Sequence, residues 1–141
     1  ERVPAEPVAS DIDAILKMAK REKYFPYRDI IYYAAALSEL ERGNFDKAET
    51  YVNKSIFYNK ENTEQRSKSF LLLTDMAFNN KLYGKAGKYY DSINVRLFID
   101  TVLVKRINNR KPGCKTIYQQ ERIIFAQDSL LKIAAMPEND R

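Results

Sequence analysis

A chain of 141 residues, 45% hydrophobic and 30% charged, is long enough to bury one continuous core and too apolar to stay unfolded. Four glycines and five prolines leave few turn-formers, which favours long helices over many short strands, and no apolar run approaches the roughly 18 residues that span a bilayer. The net charge of +5 is uneven, with 11 basic and 12 acidic groups in residues 1–66 against 13 and 7 in residues 67–141, so electrostatic steering of an acidic partner falls to the second half.

The start, Glu1-Arg2-Val3-Pro4, has neither an initiator Met nor a charged-then-apolar leader and reads as the mature start, or an excised piece, of something longer. Ile12, Ile15, Leu16 and Ala19 then fall at helical spacing and predict a helix over 10–24, ended by Pro26. Ile31, Ala34, Ala35, Leu37 and Leu40, followed by Phe45, Ala48, Val52 and Ile56, predict a helix pair over 27–58. In its turn Gly43 takes the left-handed conformation and Asn44 caps the next helix.

The text of this pair recurs at an offset of 38 residues. Phe45-Asp46-Lys47-Ala48 is echoed by Tyr83-Gly84-Lys85-Ala86, Tyr32 aligns with Phe70, and Tyr51 with Tyr89. A second, degenerate pair is therefore expected over 64–94, with Lys81 in place of the turn glycine and Asn62 or Thr63 capping its first helix. Over 96–136 two further segments, 97–107 and 117–135, flank Lys111-Pro112-Gly113 and predict a closing hairpin turned at the Pro-Gly pair. Its last helix carries the stripe Ile117, Ile124, Gln127, Leu131 and Ala134, expected to cover an open end of the core, and Met136 to Arg141 terminate it.

Chemistry is sparse. Without histidine the commonest general base is missing, and the lone Cys114 can neither form an internal disulfide nor anchor a zinc site, so neither cofactor nor metal is expected. Glycines at 43, 84, 87 and 113 make no phosphate-cradling loop. Gly84-Lys85-Ala86-Gly87 has the spacing of an RNA-clamping loop but opens a helix, and Ser129-Leu130-Leu131-Lys132 lacks the companion motifs of acyl-transfer enzymes. Asp11 with Asp13, and Glu39 with Glu41, point to different helix faces and read as solvated charges. Most of the ten tyrosines read as core.

The paired segments resemble the tetratricopeptide repeat, a helix pair of about 34 residues. With Asp29 at its first position, Tyr32, Ala36, Gly43, Phe45 and Ala48 match its pattern; with Ser67 there, Phe70, Thr74, Tyr83 and Ala86 do. The resemblance implies an all-α, right-handed solenoid of about seven helices forming a single domain over 1–141. It also implies a partner-binding groove that includes Tyr33, Leu37, Leu71, Asp75 and Phe78. Tyr33 and Leu37, then Leu71 and Asp75, stand where the family's carboxylate clamp needs Lys and Asn, so that clamp is not encoded, and the apolar lining implies a groove filled by the chain itself or by an apolar partner segment. A second candidate site is the basic cluster Lys105, Arg106, Arg110, Lys111 and Lys115, with no acidic residue between 101 and 120. Docking to an acidic protein surface is its economical use; the alternative is a helical repeat that binds nucleic acid through the basic half.

Two stretches are more specific: Tyr27 to Ala34 leading into Gly43-Asn44-Phe45-Asp46-Lys47-Ala48, and Gln127 to Glu138, with Ala86-Gly87-Lys88-Tyr89-Tyr90-Asp91-Ser92 between them. They resemble the SprE/PorW family of tetratricopeptide lipoproteins of bacterial gliding and type IX secretion, over most of residues 12–138 but weakly over Val95 to Thr116. The resemblance implies a non-catalytic scaffold on the periplasmic side of the outer membrane, linking ring or motor components to the translocon. Its partners would be other proteins of that complex rather than a small-molecule substrate, and its lipid anchor would lie outside this chain.

Overall fold

The structure, a computed structural model, describes residues 9–137; the segments Glu1-Arg2-Val3-Pro4 and Glu138 to Arg141 lie outside it. It is all-helical, with no strand among the described residues: α1 (Ala9–Ala19), α2 (Arg28–Glu41), α3 (Phe45–Tyr58), α4 (Thr63–Asn79), α5 (Tyr83–Tyr90) and α6 (Thr101–Ala135), with 3-10 turns at Glu22–Tyr27 and Val95–Leu97. Among the described residues there are six α-helices, against the expected number of about seven. The chain divides into two compact units, Glu1–Leu73 with Ser92–Leu97 and Thr74–Asp91 with Phe98–Arg141, and α4 contributes residues to both.

In the first unit α1 packs on α2 and α2 on α3. Small side chains set the approach: Ala35, Ala36, Ala48 and Val52 are fully buried, with Ile12, Ala19 and Ile31 beside them. At the edge of this core the Tyr32 ring stacks on Tyr58 at 5.5 Å and on Tyr51 at 6.2 Å, an apolar contact that leaves the hydroxyls at the rim. Pro26 lies in the 3-10 turn just before α2, so the helix starts where its ring stops interfering.

A buried polar network ties these helices together. Ser55 Oγ donates to the Asp29 carbonyl at 2.7 Å and meets Ser69 Oγ at 2.8 Å, and Gln65 Nε2 donates to Ser69 Oγ at 3.2 Å. The Asp29 carboxylate accepts from the Ile30 amide at 2.9 Å and from Asn59 Nδ2 at 2.9 Å, which satisfies both oxygens of a buried charge. As expected from the sequence, Asn62 caps α4, its Oδ1 accepting from the Gln65 amide at 3.0 Å. Ser67 Oγ accepts from the Asn94 amide at 3.0 Å, pinning the Ser92–Leu97 strap next to the buried Ile93.

The turn after α2 is a Schellman motif. Gly43 has φ +78°, its amide donates to Leu40 at 3.0 Å, and the Asn44 amide donates to Glu39 at 2.9 Å. Asn44 occupies the cap position of α3 but does not cap it, because its Nδ2 donates to the buried Glu39 carboxylate at 2.7 Å. The turn after α4 repeats the geometry 38 residues on: Lys81 has φ +61°, its amide donates to Phe78 at 3.0 Å, and the Leu82 amide donates to Ala77 at 2.8 Å. Lys81 thus takes a left-handed backbone that costs a side-chain-bearing residue about 1–2 kcal/mol.

In the second unit α5 lies against α6, with Ala86, Tyr90, Ile107 and Cys114 buried. Gly87 permits this contact, since a Cβ there would stand 2.5 Å from the Cys114 carbonyl carbon. The expected hairpin at Pro112-Gly113 is corrected: α6 runs unbroken for 35 residues, capped by Asp100 Oδ1, which accepts from the Val102 and Leu103 amides. Pro112 and Gly113 point outward, whereas Ile107 and Cys114, seven residues apart on one face, are both buried on either side of them. One continuous packed face outweighs a local breaker worth about 3 kcal/mol.

Candidate protein-interaction surface

The expected groove residues fall in different surroundings. In the first unit Tyr33 and Leu71 are half-buried and Leu37 is exposed. In the second, Asp75 and Phe78 are taken up by α6 itself. Arg106 Nη2 donates to Asp75 Oδ2 at 2.9 Å, and the Arg110 guanidinium lies 3.9 Å from the centre of the Phe78 ring, whose edge also meets Tyr83 at 5.1 Å. Burial raises the Asp75 carboxyl above its ordinary range, against the opposing pull of Arg106 and Arg110. These two positions are filled from within the unit.

The basic cluster also makes contacts within the unit. Arg106 is paired with Asp75, and Lys115 and Lys111 reach Asp91 at 2.9 and 3.6 Å. The Arg110 guanidinium lies over Phe78, so of these five cations Lys105 alone has no ion pair or ring contact among the described residues. The hydrogen bond from Lys115, then the charges of both lysines, hold the exposed Asp91 carboxyl below its usual range. The run 101–120 carries no acid of its own, but packing brings acids to it from α4 and from the residue after α5. Asp75 and Asp91 lower the local positive charge of the five cations without cancelling it.

A cavity of about 450 Å³ opens before α2, walled by Phe25, Pro26, Arg28, Asp29 and Tyr58 and by residues 60–62. Its cation is engaged: the Arg28 guanidinium stacks between Phe25 at 4.2 Å and Tyr58 at 4.1 Å. Cys114 is buried, and that burial raises its thiol. Among the described residues no group of three or more His, Cys, Asp or Glu side chains could hold a metal ion, and no helix is long and apolar enough to cross a membrane.

The feature that remains is the far half of α6. From Gln119 onward nearly every residue is exposed, including Ile123 at 58%, Ile124 at 57%, Leu130 at 66%, Leu131 at 68% and Ile133 at 50%. The stripe expected to cover an open end is itself uncovered from Ile124 on. Ile117 is half-buried, whereas Ile124, Gln127, Leu131 and Ala134 all face solvent. Isolated exposed aliphatics are ordinary, but five within eleven residues of one helix form a contiguous patch of the kind that marks an interaction site.

Helix geometry explains why α5 cannot shield it. Gly87 and Gly84 of α5 sit against Cys114 and Glu121, and the next residue of that seam, Asp128, is charged and exposed. Gly84 lies in the first turn of α5, so α5 ends against Glu121 while α6 runs on to Ala135, well past anything α5 can reach. The signal was present in the sequence as Ile123-Ile124-Phe125 followed by Leu130-Leu131, too many apolar residues for one packed face. The sequence matches no family model and no curated protein.

Proposed function

We propose that this chain is a non-catalytic protein-interaction module built from tetratricopeptide-type helix pairs, and that it binds through the uncovered apolar face of α6. The observation that carries the reading is that face, where Ile123, Ile124, Leu130, Leu131 and Ile133 stand at least half exposed on a helix anchored at its other end by Ile107 and Cys114. The repeat reading is supported by the two Schellman turns 38 residues apart, at Gly43 and Lys81, which give both helix pairs the same connection. The family-level proposal follows from the resemblance of Tyr27–Ala48 and Gln127–Glu138 to SprE/PorW lipoproteins. On that reading this stretch is part of a periplasm-facing component that joins ring or motor proteins to the outer-membrane translocon.

The test is capture of those components by the immobilised chain and by an Ile124→Lys/Leu131→Lys variant. The proposal predicts that capture is lost in the variant and kept after Lys105→Glu. Equal capture by the two α6 forms, or loss with Lys105→Glu alone, would overturn the assignment of the surface.

A further inference from the structure

We infer that the occupant of the uncovered α6 face is a second copy of this chain, docked antiparallel about Gln127. The inference rests on the reading of that face as an interaction surface and not on the family-level proposal.

The pattern around Gln127 is self-complementary. Two copies of α6 laid antiparallel with Gln127 on the two-fold axis place Ile123 opposite Leu131 and Ile124 opposite Leu130, so these four aliphatic side chains meet in pairs across an isologous contact, with Ile133 at its edge. The one polar group in the stripe then meets its twin. A side-chain amide carries both donor and acceptor and can pair with itself, and a single buried amide among apolar layers fixes register and orientation.

A parallel arrangement would run residues 101–121 of the two copies side by side, and there α5 already occupies one face of α6. The antiparallel one opposes only the unpacked halves. It also sets the helix dipoles against each other favourably.

The area suits a dimer of modest strength. Five aliphatic side chains, each half to two-thirds exposed, with the alanines between them, offer on the order of 600 Å² per copy. A standard interface takes about 800 Å² per partner. Self-association is therefore expected to be weak and concentration-dependent rather than that of an obligate dimer.

The experiment combines sedimentation with cysteine trapping on the whole chain. Sedimentation velocity across roughly a hundredfold range of concentration, up to the sub-millimolar, should show a monomer–dimer equilibrium. The Ile124→Lys/Leu131→Lys variant should stay monomeric with an unchanged helical circular dichroism signal. In mild oxidant, Ile123→Cys mixed with Leu131→Cys should cross-link into a heterodimer, and Gln127→Cys should cross-link with itself. Ile123→Cys alone, like the parent chain with its buried Cys114, should not.

A parent chain that is monomeric throughout, or Ile123→Cys linking to itself as fast as to Leu131→Cys, would overturn the inference. A monomeric parent whose Ile124→Lys/Leu131→Lys form still loses capture of another protein sinks the second copy and keeps the interaction reading. If that variant changes neither self-association nor capture, both fail.

Discussion

Gly87→Ala should unfold the second unit far more readily than its single methyl suggests. The added Cβ would stand 2.5 Å from the Cys114 carbonyl carbon, closer still to its oxygen, and 3.0 Å from the Lys115 amide nitrogen. All three atoms belong to the α6 backbone, so relief requires the two helices to move apart by about 1 Å along a face that buries Ala86, Tyr90, Ile107 and Cys114. Alanine's better helix propensity returns about 1 kcal/mol. Overpacking against a rigid backbone costs about 1–3 kcal/mol and more where nothing can yield, so the net loss should be at least about 2 kcal/mol.

Two other glycines serve as controls within the same protein. At Gly84 the new Cβ would meet only the Glu121 carboxylate, the free end of a flexible side chain, and the substitution should be neutral within about 0.5 kcal/mol. At Gly113 it meets nothing within 4 Å on an exposed turn of α6, and Gly113→Ala should stabilise by up to about 1 kcal/mol. Urea denaturation followed by far-ultraviolet circular dichroism gives all three values. A Gly87→Ala protein as stable as the parent would refute the close contact of α5 with α6. A Gly113→Ala protein less stable than the parent would refute the unbroken helix.

Other expectations follow from single groups. Gly43→Ala should cost about 1–2 kcal/mol through its left-handed backbone, while Lys81→Gly should gain up to about 1 kcal/mol, both read from denaturation midpoints. Ser55→Ala removes a buried hydroxyl that serves Asp29 and Ser69, and should lower stability by about 1–3 kcal/mol, whereas a change at the exposed Lys47, such as Lys47→Ala, should stay within about 0.5 kcal/mol.

Burial pushes the Tyr90 hydroxyl up to about 12 from 10.0. Because the unfolded phenol ionises first, stability is complete below pH 10 and should fall by about 2–3 kcal/mol as pH rises from 10 to 12. Thermal melts should show the decline, and Tyr90→Phe should remove most of it. Cys114, buried with its thiol raised, should react with a thiol reagent only as fast as the chain opens, so denaturant should accelerate labelling by orders of magnitude.

The first helix pair was legible because every local signal agreed: small residues where α2 and α3 touch, a glycine where the backbone turns left-handed, and helical periodicity on both sides. The second pair was legible only through the first, since Lys81 hides a glycine-like turn that the offset of 38 exposes. The continuity of α6 was not legible. Pro112-Gly113 is a strong local stop, and what overrides it is the seat of Cys114 on Gly87, a contact between residues 27 apart. The ion pairs of the basic cluster were hidden for a similar reason, because its partners Asp75 and Asp91 are more than 15 residues away in sequence. A stripe such as Ile124, Gln127 and Leu131 shows that a face is apolar, and only the fold shows that, among the described residues, nothing in the second unit covers it.

Side-chain footprinting by hydroxyl radicals, on the chain alone at low concentration and again in complex, tests the central claim most directly. The account predicts strong modification of Ile123, Ile124, Leu130 and Leu131 in the free chain and protection of those residues on binding. Protection centred on Lys105–Lys115 or on Tyr33 and Leu37, with Ile123–Leu131 unchanged, would contradict it.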